Sequence, residues 1–160
     1  MGYSRNTALV LALSMAILHL SQSQEDSGNK PDDYINAHSC IRRVLEVPPL
    51  TWDDELAKNA QSYADQRKDC KMIHSDKCGE NMAAGPSLNG SYAVQMWLDE
   101  RRYYDYDANK CKGQMCGHYT QMVWKDTQKV GCGRTKCDDG SWIVVCRYDP
   151  PGNIAGEKPY

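Results

Sequence analysis

The chain predicts an α+β domain, a small antiparallel sheet covered by helices and stapled by disulfides. Three observations predict it. Eight cysteines all lie downstream of an apolar N-terminal leader, which reads as an exported disulfide framework. The runs Lys129 to Cys137 and Ser141 to Tyr148 alternate and carry valine around Asp138-Asp139-Gly140, a hairpin signal. Ahead of them, apolar residues recur at three-to-four spacing in helical segments. Helices that precede a paired run of strands suit a sheet with helical cover.

The elements follow in order. Residues 1–23 read as a signal peptide: Arg5 supplies charge, Ala8 to Leu20 is almost wholly apolar though interrupted by His19, and Ser21-Gln22-Ser23 offers small residues for cleavage before Gln24. The rival, a membrane anchor, needs about 20 apolar residues where this run has roughly thirteen. Residues 24–30 are polar and read as a flexible segment, and 31–160 as one domain with a tail at 150–160. Pro31-Asp32-Asp33 opens a first helix whose apolar face holds Ile35, His38, Ile41 and Leu45, ended by Pro48-Pro49. Thr51 with Asp54 has capping-box spacing for a second helix carrying Leu56, Ala60, Tyr63 and Ala64 inward, to about Lys68. Lys71 to His74 reads as a short strand and Gly79 to Gly90 as a loop. A third helix starts near Ser91, with Val94, Trp97 and Leu98 on one face. An aromatic loop, Tyr103 to Tyr106, and a short helix over Tyr119 to Val123 precede the hairpin.

A net charge of -2 and no basic patch argue against a nucleic-acid partner. Phenylalanine is absent, so buried aromatics are Tyr and Trp, whose polar ends need partners. Eight cysteines allow 105 pairings. The spacings Cys111-x4-Cys116 and Cys132-x4-Cys137 could also suit zinc, although export favours disulfides. Asn89-Gly90-Ser91 is a glycosylation acceptor in a loop.

Two runs carry the most information: Gly117-His118-Tyr119-Thr120-Gln121-Met122-Val123-Trp124, and Ile143-Val144-Val145-Cys146-Arg147-Tyr148-Asp149-Pro150-Pro151-Gly152-Asn153-Ile154. Together they resemble the paired signatures of the superfamily of cysteine-rich secretory proteins, antigen 5 and pathogenesis-related proteins. The ending, through Lys158-Pro159-Tyr160, resembles the plant pathogenesis-related protein 1 branch. The resemblance spans the chain after about its first thirty residues and implies a three-layer α-β-α sandwich. It implies disulfides Cys111–Cys116, Cys70–Cys137 and Cys132–Cys146. Cys40 and Cys78 depart from the plant pattern and are open to a fourth bridge with each other, to free thiols, or to a link between chains.

The resemblance also places His74, Glu80, Glu100 and His118 around a central cleft. Two imidazoles there could hold zinc or another divalent cation weakly, each fixed by a carboxylate on its other nitrogen. A carboxylate beside a histidine could instead serve as general base for hydrolysis. Two histidines are fewer than the three protein ligands usual for catalytic zinc, and no Gly-x-Ser-x-Gly turn presents a nucleophile. The four groups could equally form a structural hydrogen-bonded network.

The resemblance implies sterol binding near the aromatic loop, where Tyr103, Tyr104 and Tyr106, extended by Met96 and Trp97, could line a groove. It further implies release of the tail as a signalling peptide by a protease cutting between Asp149 and Pro150, after a Cys-Asn-Tyr-Asp tetrad. Here Arg147 replaces the asparagine. The expected function is a secreted, monomeric plant defence protein of the apoplast, with the vacuole as alternative compartment. It would withdraw sterols or related lipids from a pathogen membrane and inhibit growth without turnover or a required cofactor. A peptide precursor and a metal-dependent hydrolase are the alternatives.

Overall fold

A computed structural model describes residues 27–160; residues 1–23, expected to be a signal peptide, and residues 24–26 lie outside the described residues. Ser27 to Lys30, expected to be loose, are held against the start of a later helix: Ser91 N donates to Gly28 O and Gly90 N to the Asn29 side chain. Helix α1 (Pro31–Val44) begins where expected, with Lys30 N donating to Asp33 Oδ2 at 2.9 Å.

Strand β1 (Thr51–Trp52) follows, then α2 (Asp54–Gln66). The N-cap of α2 is Asp53, not Thr51. Its carboxylate accepts from Glu55 N and Leu56 N, and these bonds, with Lys129, hold it below the usual carboxylate range. Thr51 is instead committed to sheet pairing with Lys129.

The segment Lys71 to His74 is not a strand. The strand is β2 (Glu80–Gly85), within the stretch expected to be loop. Its sequence, Glu-Asn-Met-Ala-Ala-Gly, carries no β-branched residue, and pairing with the valine-rich neighbour imposes its conformation. Helix α3 (Gly90–Asp99) runs into a 3-10 turn, Glu100–Tyr103, and Tyr104 and Asp105 form β3 against β4 (Lys110–Cys111). Helix α4 (Gly117–Met122) and the hairpin β5 (Lys129–Lys136) and β6 (Trp142–Asp149) complete the order.

The main sheet runs β1-β5-β6-β2. Three strands are antiparallel, and the two-residue β1 joins the edge in parallel. Strand parity divides the core. Val144, Cys146 and Tyr148 pack with Tyr34, Ile41, Val94, Trp97 and Tyr119 beneath α1, α3 and α4, whereas Ile143 and Val145 pack with Ala60 and Ala64 of α2. This is a sandwich with one helix on one face and three on the other. Helix α2 lies so close to β5 that a Cβ on Gly131 or Gly133 would collide with its backbone.

Disulfides join Cys70 to Cys137, Cys111 to Cys116 and Cys132 to Cys146. The zinc reading of those spacings therefore fails: the four sulfurs are in S–S bonds. Among the described residues the single close grouping of metal-type ligands is Cys70, Cys137 and Asp139, whose thiols are likewise spent. The candidate bridge Cys40–Cys78 is not formed; both thiols are exposed and free.

Candidate functional site

The cleft forms at the exposed edge of β2. Glu80 begins that strand and shares parity with Met82, on the α2 side, whereas Asn81 points to the other face. Two imidazole–carboxylate arms approach from the two layers.

One arm is buried. The 3-10 turn after α3 presents Glu100, whose Oε1 meets His118 Nδ1 at 2.7 Å; Oε2 accepts from His118 N at 3.0 Å and Tyr119 N at 3.3 Å. Those amides open α4, so the carboxylate answers donors that a helix start leaves unpaired. The His118 ring packs 6.0 Å from Trp97, and its backbone carbonyl accepts from Asn81 Nδ2. Asn81 also reaches the hydroxyl of Tyr148, which contacts His38 Nε2 at 2.8 Å; His38 Nδ1 meets Tyr34 O. Full burial pushes the His38 pKa down to about 4 and raises Tyr148 above the ordinary tyrosine range. His38, on the apolar face of α1, is fully enclosed.

The other arm is open. The His74 side chain is 49% exposed on the loop before β2, with Nδ1 2.8 Å from Glu80 Oε1. Glu80 is 2% exposed. Its Oε1 also accepts from Ser75 N, and its Oε2 lies 3.0 Å from Arg147 Nη2. Arg147, opposite Glu80 in the β2–β6 register, also donates to Ser75 Oγ at 2.8 Å.

All four cleft residues thus converge, with the imidazole centroids 6.1 Å apart. Both Nδ1 atoms are tied to carboxylates, and neither Nε2 has a partner among the described residues. By donor type, two imidazoles that each carry a carboxylate on Nδ1 are of the kind that suits a divalent cation. Ser75 Oγ is engaged by Arg147 and Lys77 N and makes no bond to His74. Sequence reasoning missed Arg147 as part of the site. The available signal was an arginine inside an apolar strand, which demands a buried partner.

The expected lipid wall is not assembled. Trp97 is 1% exposed and its indole N–H donates to Met82 O, so it belongs to the core. Met96 is exposed on α3. Tyr104 and Tyr106 face the tail: Tyr106 stacks on Tyr160 at 5.0 Å and donates to its carbonyl, and Tyr104 lies edge-on to Tyr160. Burial, with Tyr160 and Tyr106 alongside, pushes the Tyr104 pKa up to about 12. Tyr103 sits in the 3-10 turn under Arg102.

The tail after Pro150 is latched along its length. Thr127 bonds Pro150 O, Gln121 receives Gly152 N, Asn153 bridges Thr120 and Gly117, and Lys125 N donates to Pro159 O. Gly152 is pressed on Trp124, where a Cβ would collide. The cleavage candidate, Asp149–Pro150, joins the end of β6 to this strap. Asn89 caps α3: its side-chain oxygen accepts from Tyr92 N while Nδ2 donates to Ser27 O.

A groove of about 720 Å³ lies elsewhere, between α1 and α3. Cys40, Ile41 and Val44 line one side and Leu98 the other, with Arg101 and Arg102 also in the lining. No helix among the described residues is long and apolar enough to cross a membrane.

A disulfide-stapled sandwich with a cleft of two histidines and two glutamates defines a class of scaffold, and comparison assigns it. The cysteine-rich secretory protein (CAP) family model matches residues 35–148. The chain belongs to this family, in its plant pathogenesis-related protein 1 branch. It is 45% identical, over its whole length and 90% of the relative, to the basic form of pathogenesis-related protein 1 from Nicotiana tabacum. Among solved structures, Schistosoma mansoni venom allergen-like protein 4 matches with TM-score 0.69 and 28% identity, covering 81% of this chain and 92% of that one. A structure of NaASP2 with Zn2+ matches with TM-score 0.65 and 25% identity, covering 84% and 88%.

Proposed function

We propose that this chain is a secreted plant defence protein that binds sterols or related lipids of a pathogen membrane and performs no turnover. The pathogenesis-related names of its relatives support the defence role. The observation that carries the binding role is the groove between α1 and α3. Its volume lies in the range of small-molecule sites, and Ile41, Val44 and Leu98 offer apolar wall while Arg101 and Arg102 supply polar groups to orient a headgroup. The engagement of Ser75 Oγ by Arg147 speaks against Ser75 as a nucleophile activated by His74. Titration of a fluorescent sterol into the oxidised protein, with and without zinc, tests the reading. Saturable binding weakened about tenfold by Val44→Asp, which puts a carboxylate on the exposed apolar rim that a bound lipid would have to cover, is expected. No response in either condition overturns it.

A second reading concerns the cleft. The two unpartnered Nε2 atoms, each backed by a carboxylate, support weak binding of a divalent cation, as does the existence of a NaASP2 structure with Zn2+. When bound, a cation would polarise an oxygen ligand, and His74 and His118 would hold it. Calorimetry with zinc tests this: binding abolished by substituting either histidine supports it, and binding indifferent to both removes it.

A further inference from the structure

We infer that Arg147 is the positioning residue of the His74 arm, and that it fixes which nitrogen of His74 faces the cleft. His74 lies on a loop without regular structure, and no helix or ladder holds it. What holds it is a chain of three contacts ending on Arg147. His74 Nδ1 meets Glu80 Oε1, Glu80 Oε2 meets Arg147 Nη2, and Arg147 Nη1 returns to Ser75 Oγ, beside His74. The Arg147 side chain is 7% exposed and its guanidinium lies 5.4 Å from the Tyr63 ring, whose hydroxyl donates to Ile73 O on the same loop. One guanidinium thus holds the carboxylate by an ion pair, without an aligned hydrogen bond to Oε2, and the loop by a hydrogen bond to Ser75 Oγ, two contacts that a lysine's single ammonium or an uncharged amide does not reproduce together.

The chemical consequence is a tautomer. A carboxylate whose second oxygen is ion-paired with Arg147 remains an acceptor toward His74, so neutral His74 carries its proton on Nδ1 and leaves its lone pair on Nε2, the ring nitrogen not engaged by Glu80. This would orient His74 for a cation if the cleft takes one, but the tautomer stands without any cation.

The test compares the full oxidised protein with Arg147→Asn, Arg147→Lys and Ser75→Ala. Nitrogen-15 NMR of the imidazoles at pH 8, without metal, is expected to show His74 in the Nδ1–H form in the native chain. In Arg147→Asn it shifts toward the Nε2–H form usual in water, while His118 is unchanged. Amide exchange of residues 71–79 accelerates in Arg147→Asn and in Ser75→Ala, and Arg147→Lys lies between native and Asn in both readouts. If the native chain binds zinc, Arg147→Asn lowers that affinity about tenfold, the usual effect of removing outer support from a ligand. Unchanged His74 nitrogens in a folded Arg147→Asn overturn the proposal, as does tighter zinc binding, which would make Arg147 only a repelling charge. If Arg147→Asn does not fold, Ser75→Ala decides: unchanged exchange at 71–79 overturns the proposal. A native chain that binds no zinc refutes the cation reading alone and leaves the tautomer to judge Arg147.

Discussion

His118 and His74 each give Nδ1 to a glutamate, at 2.7 and 2.8 Å, yet the two arms are built from different material. The His118 arm rests on backbone. Its carboxylate collects amides at the start of α4, and its ring packs on Trp97. The His74 arm rests chiefly on side chains, an open ring held by a buried Glu80–Arg147 pair. A site can therefore show local symmetry in its ligands and none in its energetics. The arm with the more exposed histidine hides the costlier interaction.

Substitutions should expose that asymmetry. Glu80→Ala has the largest expected effect: it strands the Arg147 charge out of water and should cost about 4 kcal/mol in a urea titration. A loss below about 1 kcal/mol would mean that water reaches the pair.

Acid comes next and acts on the buried side. His38 is held near pKa 4 against 6.5 unfolded, so between these values the unfolded chain takes up a proton that the native chain refuses. Stability from this group is fully present above pH 6.5 and falls toward pH 4 by about 3 kcal/mol in all. The difference in unfolding free energy between native and His38→Gln, measured across that window, should carry this slope. No difference in slope would place His38 in contact with solvent.

Glu100→Ala follows, at about 2 kcal/mol, because two amides at the start of α4 and the His118 ring lose their acceptor. Their exchange with deuterium should quicken while residues 71–79 keep their protection. The smallest effect is His74→Ala, about 0.5 kcal/mol or less, since half of its side chain already faces solvent. A drop comparable to that of Glu80→Ala would reverse the comparison.

The buried arm is also the more legible in the sequence. His118 opens a short helix whose motif is local, and the hairpin announces itself by alternating valines about Asp-Asp-Gly. The open arm misleads at both ends. Lys71 to His74 has strand-like composition but no partner, and β2 has loop-like composition but a full antiparallel partner in β6. Pairing is nonlocal, so no window of sequence could separate them. Arg147 stands out in the sequence as a departure in a tetrad, but its role depends on Glu80 lying opposite it in the register. Tyr104 and Tyr106 resemble a surface for lipid because the sequence does not show that Tyr160 returns to pack against them. The groove between α1 and α3 combines residues more than fifty positions apart and leaves no local signature.

We propose that lipid capture belongs to the groove and does not require the histidine cleft. A fluorescent sterol titrated into the native chain and into His74→Ala/His118→Ala measures this directly. Saturable binding of equal affinity in both is expected. No binding to either protein, or binding that disappears with the two histidines, would contradict it.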